Sequence, residues 1–369
     1  MKHLIKYILF VLLLSSCNKD AQPPSLVMIA DLEVNSENTK ETKALDQKNK
    51  FEIINGNPDK IYIYGWSKST IGGVRTRFMP KEGDGITPKL DASSGATYTF
   101  KRDELSGWQR FERIIVPAVD ENMPYWRPSF YHDFAGYYYY FDEVGYEKPV
   151  NATDELIFAM AMDGSVPNSG SGLENRELLW GETQDFLFAG GSQVIPRILF
   201  KHQLSRIRVE MLHDMDDITT DNFAVSSITL DIDRTENTFY TQTGLWEDDT
   251  PTSYTLTKEW PDPNPLVLGT DIPAPRLETF KVHEWWVLPN CEISNFVLRM
   301  YKSALLNVYP MSFKDIFDDL VTTVTTKPGY VTVIRIKFGD IKPIIFSVTL
   351  DPWETVPTNV GDITDGLLN

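Results

Sequence analysis

Apolar and polar residues alternate with a period of two along much of this chain. Ile207, Val209 and Met211 alternate with Arg208 and Glu210; Ile228, Leu230 and Ile232 with Thr229, Asp231 and Asp233; and Ile344, Phe346, Val348 and Leu350 with Ser347 and Thr349. Successive residues of a strand point to opposite faces, so each run predicts a strand with one buried and one wet side. Segments 51–54, 60–64, 96–100, 111–116, 137–141, 280–282 and 330–338 are rich in β-branched and aromatic residues and predict further strands. Gly, Pro, Asn and Asp punctuate them. Helical periodicity is nearly absent, which predicts an all-β fold of antiparallel β-sandwiches and not a parallel α/β sheet. One short helix is predicted after Ser312 as cap, with Phe313, Ile316, Phe317 and Leu320 on one stripe.

The loop 188–193, preceded by the Gly/Ser/Pro-rich stretch 163–172, has six or more strand candidates on each side. Each side can close its own core, giving an N-terminal sandwich over 45–192 and a C-terminal sandwich over 193–369. No repeat of the length that builds solenoids is visible.

The N-terminus reads differently. Lys2, His3 and Lys6 precede the apolar run Tyr7 to Leu14, and Ser15-Ser16-Cys17 follows. A basic start, a short apolar stretch and small residues make an export signal, far below the roughly 20 apolar residues of a membrane-spanning helix. Residues 1–16 are therefore expected to be a lipoprotein signal peptide, with Cys17 as the lipid attachment site; the plainer reading is an ordinary secretory signal with an incidental cysteine. Stable anchoring takes more than one acyl chain, so a multiply acylated (palmitate-type) Cys17 would hold the remainder on a membrane. Residues 17–44 form the tether. Within it, 25–34 is a β-competent apolar island between polar flanks: either a strand that docks, or a sticky part of a mobile spacer. If it docks, Lys40, Lys43, Lys48 and Lys50 lie on an exposed loop open to proteolysis.

Loss of the signal removes two lysines and no acid, so the net charge deepens from −17 to −19, which disfavours nucleic acid as a partner. With Cys17 lipidated, Cys291 is the one cysteine left and no intrachain disulfide can form.

Enzymatic chemistry finds little support. His132, His202, His213 and His283 show no His-x-x-x-His pair, and neither a nucleophile elbow nor a phosphate loop is present, so no cofactor is expected. His132-Asp133 superficially resembles an acid/base pair, but strand neighbours face opposite ways, and His132 is expected as a surface histidine beside an aromatic core. The acidic turns Asp214/Asp216/Asp217 and Glu247/Asp248/Asp249 could take calcium but lack the spacing of a dedicated loop. Tyr125-Trp126, Phe130-Tyr131, Tyr137 to Tyr140 and Trp285-Trp286 either fill cores or form a platform for host or bacterial surface glycans.

The segment Val194-Ile-Pro-Arg-Ile-Leu-Phe-Lys-His-Gln-Leu-Ser-Arg-Ile-Arg-Val209 resembles a strand of the fimbrillin-like lipoproteins of Bacteroidetes, the subunits of type V pili. Gly65-Trp66, Asp154 to Ala159, Trp286 to Pro289, Pro328-Gly-Tyr330 and Leu350-Asp-Pro-Trp353 fit the same template in order, over about residues 50–353. The resemblance implies two tandem transthyretin-like β-sandwiches, export to the outer membrane, a role in adhesion, and partnership with other pilin subunits by β-strand exchange after an N-terminal strand is cut away. The island at 25–34 is the strand that could leave. The first arginine is Arg75, so a cut in the tether would use Lys40, Lys43 or another residue in place of arginine, and an uncut subunit would stay lipid-bound as an anchor. The tail after Trp353, broken by Pro357 and two glycines, is either a frayed end or a segment donated to a neighbour.

Overall fold

The structure, a computed structural model, describes residues 31–36, 53–54, 57–58, 60–79, 96–103, 109–113, 129–141, 150–151, 156–162, 173, 176–187, 196–213, 223–247, 251–260, 265–268, 271–272, 279–302, 305–311, 313, 323–338 and 343–352. These form β1 (Asp31–Ser36), β2 (Ile53–Ile54), β3 (Asn57–Pro58), β4 (Lys60–Lys68), β5 (Thr76–Met79), β6 (Ala96–Asp103), β7 (Gln109–Arg113), β8 (Tyr131–Phe141), β9 (Val150–Asn151), β10 (Leu156–Ala161), β11 (Arg176–Leu187) and β12 (Arg197–His202). The chain continues through β13 (Ser205–His213), β14 (Phe223–Ile232), β15 (Glu236–Tyr240), β16 (Leu245–Trp246), β17 (Tyr254–Glu259), β18 (Leu266–Val267), β19 (Phe280–Val287), β20 (Glu292–Lys302), β21 (Leu305–Met311), β22 (Val324–Thr325), β23 (Tyr330–Phe338) and β24 (Pro343–Pro352). The protein is all-β. Of the predicted short helix, only Phe313 is described, in a buried position; Ser312, Ile316, Phe317 and Leu320 lie outside the described residues.

The largest sheet runs β5-β4-β6-β7-β1-β12-β11-β8, and β4 also pairs with β8. The path therefore closes into a hydrogen-bonded ring of β4, β6, β7, β1, β12, β11 and β8, with β5 beside β4. Period-two alternation sorts its side chains. Ile61, Ile63, Phe111, Phe134, Ile198 and Phe200 belong to one buried cluster supplied wholly by strands of this sheet, which is the ring interior. Tyr64, Trp66, Tyr137 and Leu178, from the opposite faces of β4, β8 and β11, join a second cluster with Phe158, Phe239, Ile207, Ile228 and Trp285. Strand β8 is thus apolar on both faces because both faces are covered: Tyr137 packs outside the ring and Tyr138 inside it.

The C-terminal strands make two sheets, β19-β13-β23-β24 and β17-β14-β20-β21, with β18 and β22 at the margins of the second. Ile207 and Val209 from the first and Ile228 and Leu230 from the second share the same core. Strands β2 and β3 form a small separate pair.

The expected boundary at 192/193 falls before β12, yet β12 pairs with β1 and β11 in the ring. The N-terminal sheet therefore runs through His202, and the chain crosses at Gln203-Leu204 to begin β13. A fourth sheet, β16-β15-β10-β9, joins the halves: Ile157 to Ala161 pair with Tyr240 to Glu236. The turn of hairpin β15–β16 docks on the outside of the ring. Tyr64 Oη and Thr241 Oγ1 are 2.9 Å apart, and Trp180 Nε1 donates to the Thr241 carbonyl at 2.8 Å. Gly244, at φ +69°, closes the turn with its N–H on the Tyr240 carbonyl, and a Cβ there would lie 2.6 Å from the Trp180 ring.

Candidate functional site

The feature that bears most directly on function is the seam that β1 fills. Its register to β7 is antiparallel, from Asp31↔Glu112 to Val34↔Gln109, and its register to β12 is parallel, from Glu33↔Arg197 to Ser36↔Phe200. Hairpins join antiparallel neighbours only, so β1 and its parallel neighbour β12 are linked by a long stretch of chain, the whole of β2 to β11. Leu32 is in register with Phe111, Val34 with Ile198 and Ser36 with Phe200. Phe111, Ile198 and Phe200 are fully buried in the ring interior. Without β1, the ladder edges of β7 and β12 and this apolar lining would face a groove.

The strand begins six residues later than the island expected at 25–34 and extends two residues beyond it; residues 25–30 lie outside the described residues. So do Cys17, the candidate cut sites Lys40 and Lys43, and the tail after Pro352. Beside the seam, β11 and β12 pair only at Leu179↔His202 and Trp180↔Lys201. At Gly181 the backbones approach so closely that a Cβ would collide with the Leu199 carbonyl oxygen.

A polar cluster unforeseen from the sequence lies on the side of the ring away from this seam. Lys68 Nζ is 2.8 Å from Asp133 Oδ1 and 2.7 Å from Asp185 Oδ1, and Arg75 Nε is 2.6 Å from Asp133 Oδ2. Lys68 and Asp133 are buried. Burial alone disfavours the Lys68 ammonium, but hydrogen bonds and charge from Asp133 and Asp185 outweigh it and raise its pKa. For Asp133, burial is likewise outweighed by Lys68, the Asp185 N–H and Arg75, and the carboxyl titrates below the usual range. The signal in the sequence was faint: a charged residue inside the aromatic run 130–141, with partners far along the chain.

A second charged group sits on the β13–β19–β23 face. Glu284 takes Arg208 Nε at 2.7 Å, Arg206 Nη1 at 3.2 Å and Lys281 Nζ at 3.2 Å, while Arg335 Nε meets Glu210 at 3.0 Å. Burial pushes the Glu284 pKa up, and Arg206, Arg208 and Lys281 together pull it below normal.

His132 is not at the surface as expected. It is fully buried, edge-on to Phe78 at 5.4 Å and stacked with Phe134 at 6.4 Å, because β8 has the ring interior on that side. Asp133 faces the other way, toward Lys68, so the two do not converge. His213 Nε2 lies 3.1 Å from the Ile272 carbonyl, and His283 sits edge-on to Trp285. Among the described residues no group of three His, Cys, Asp or Glu is arranged to hold a metal ion, and no helix is long and apolar enough to cross a membrane. Cys291 is buried, donates to the Leu288 carbonyl at 3.0 Å, and has its pKa pushed up to about 12 by burial. Tyr137, Tyr138, Trp285 and Trp286 are buried; Arg206 lies 4.2 Å over the Trp286 ring. Tyr125-Trp126 lie outside the described residues.

No protein-family model and no curated protein matches the chain. Solved structures do. A protein assigned to cell adhesion from Bacteroides ovatus aligns over 90% of this chain and 99% of its own, at 12% identity and a TM-score of 0.49. A fimbrial protein from Bacteroides vulgatus aligns over 88% and 99%, at 12% identity and 0.47. The tip fimbrial protein Mfa3 of Porphyromonas gingivalis, C-terminally truncated, aligns over 88% and 100%, at 11% identity and 0.40. The structural neighbours are thus fimbrial and cell-adhesion proteins of Bacteroidetes.

Proposed function

We propose that this chain is a structural subunit or membrane-proximal anchor of a cell-surface pilus, that it contributes to adhesion, and that it assembles by strand exchange at the seam between β7 and β12. The observation that carries this reading is β1 itself: an N-terminal strand, paired on both edges, completing a ring whose apolar interior it covers. In this reading the two halves are tandem transthyretin-like sandwiches. Acylated Cys17 holds the protein to the outer membrane, and the fourteen backbone steps from Cys17 to Asp31 span at most about 45–50 Å when extended. A cut after Lys40 or Lys43 leaves β1 held by contacts alone, and a strand from another subunit then replaces it by β-augmentation. An uncut subunit keeps its plug and its lipid and serves as base anchor.

The glycan-binding alternative needs an exposed ring platform. Tyr137, Tyr138, Trp285 and Trp286 are committed to packing, which favours assembly over sugar stacking as their use. Catalysis has no supporting arrangement among the described residues, and the reading is non-enzymatic.

The test is a chain beginning at Ala44 compared with one beginning at Asn18. The shorter chain is expected to form strand-linked oligomers, and to remain monomeric when a peptide of residues 18–43 is added in excess. A stable monomer that ignores the peptide would refute the seam as an assembly site.

A further inference from the structure

The cluster around Lys68 has a geometry that ordinary ion pairing does not require. Strand β11 carries a bulge between Thr183 and Phe186, whose partners on β8 are Phe134 and His132. Two residues of β11, Gln184 and Asp185, therefore oppose the single residue Asp133. Asp185 sits at φ +57°, a conformation L-residues other than Asn and Asp seldom adopt, and its N–H donates to Asp133 Oδ1 at 2.8 Å. Bulges re-aim side chains. This one aims the Asp185 carboxyl at a buried lysine, with Nζ 2.7 Å from Oδ1 and a buried second carboxylate touching the same amine.

We propose that Lys68 and Asp185 condense spontaneously into an isopeptide bond, with Asp133 as the proton carrier, covalently tying β4 to β11 across β8. The Lys68 ammonium gives one proton to the Asp185 carboxylate. The freed amine attacks Asp185 Cγ and forms the N–C bond. Asp133 takes a second proton from the nitrogen and passes it to the departing hydroxyl, the C–O bond breaks, and one water leaves. The third proton stays on the amide, Asp133 ends as the carboxylate it began as, and no oxidant or co-reactant is needed. Three features favour the step. Held groups react with effective molarities of about 10⁵–10⁸ M. Asp185 is the half-exposed member, with its side chain 37% accessible, so the water has an exit. Arg75 explains itself as well: once Lys68 is an amide its charge is gone, and the guanidinium 2.6 Å from Asp133 keeps that buried carboxylate paired in the product.

The cross-link would sit opposite the β1 seam in the ring order, stapling the wall that must stay shut if the other side opens. A chain whose mature part can form no internal disulfide would gain a covalent tie in this way. The chemistry stands whether or not the strand-exchange reading does.

The experiment is the intact mass of the purified mature chain after full unfolding. The expected mass is one water below that of the sequence, and proteolysis is expected to yield a branched peptide joining the segments that carry Lys68 and Asp185. The Asp185→Asn chain is expected to reach the same final mass as the wild type, losing ammonia in place of water, whereas Lys68→Met keeps its full sequence mass. A wild-type chain at full sequence mass, with Lys68 open to trypsin and to amine reagents once unfolded, overturns the proposal. So does a lost water that maps to any other pair of residues.

Discussion

Replacing Gly244 with alanine separates two effects that usually come together, backbone strain and steric displacement. Gly244 and Gly72 both sit at positive φ, +69° and +72°, in tight turns. A Cβ on Gly72 meets nothing within 4 Å, whereas on Gly244 it would lie 2.6 Å from three atoms of the Trp180 ring. The backbone part of each substitution costs about 1–2 kcal/mol, since the left-handed region crowds Cβ against the carbonyl. Gly72→Ala is expected to show that amount and no more. Gly244→Ala must also move Trp180, whose Nε1 bond to the Thr241 carbonyl anchors the hairpin to the ring. Overpacking of this kind adds about 1–3 kcal/mol, the lost hydrogen bond included, for a total of about 2–5 kcal/mol. Urea denaturation of the three proteins, followed by tryptophan fluorescence, measures the difference. Equal losses for the two variants would refute the reading that the Trp180 ring is held tightly against this turn.

Three further outcomes can be checked. The folded-state pKa of Glu284 lies below its unfolded value near 4.5, so its contribution is fully present above that pH and is lost as pH falls through the depressed folded value. Glu284→Gln is accordingly expected to flatten the acid limb of a stability-against-pH curve and to lower stability at pH 7. Cys291, buried and with a pKa of about 12, is expected to resist a thiol reagent at pH 8 in the folded protein and to react completely in denaturant; rapid native-state labelling would contradict the packing. Gly181→Ala places a Cβ against the Leu199 carbonyl and is expected to prise β12 from β11, which faster amide exchange in β12 would report.

The strands were most legible where one face was wet. β14 reads as an alternating run because Thr229 and Asp231 are less buried than Ile228, Leu230 and Ile232. In β13, by contrast, the polar partner Glu210 is buried in an ion pair with Arg335. In β24 the register with β23 slips at Arg335/Ile336, leaving Ile344 exposed and Ile345 buried against the expected alternation. β8 was harder, since with the ring interior on one side and the shared core on the other its sequence has no polar face, and His132 was misjudged as exposed for that reason. The run from Val194 to Val209 reads as one strand but is two, broken at Gln203-Leu204, where Gln203 N–H donates to Leu178 and the Leu204 carbonyl accepts from Gly329 N–H. Nothing local marks that crossing, because both flanking strands alternate and sheet membership is set by distant partners. The Lys68 cluster was invisible for the same cause: its members lie on three strands, separated by 65 and 52 residues, and only the bulge in β11 brings the last one in.

The seam makes a prediction of its own, about how firmly β1 is held. Ordering its six residues costs about 1–2 kcal/mol each in backbone entropy, while each of its ladder hydrogen bonds contributes about 0.5–1.5 kcal/mol net, so the pairing alone roughly cancels. The balance then rests on apolar positions, and β1 offers Leu32 and Val34 in register with Phe111 and Ile198 but only Ser36 in register with Phe200. A strand with a branched apolar residue at the third position would gain about 1–2 kcal/mol from burial, or about 5- to 30-fold in residence. An exchangeable plug should be weaker than its replacement. Ser36→Val is therefore expected to slow, by about that factor, the displacement of β1 from a chain cut after Lys43, followed as uptake of a fluorescent peptide spanning residues 18–43. An unchanged displacement rate, with the variant folded, would mean that Ser36 does not limit how firmly β1 is seated opposite Phe200.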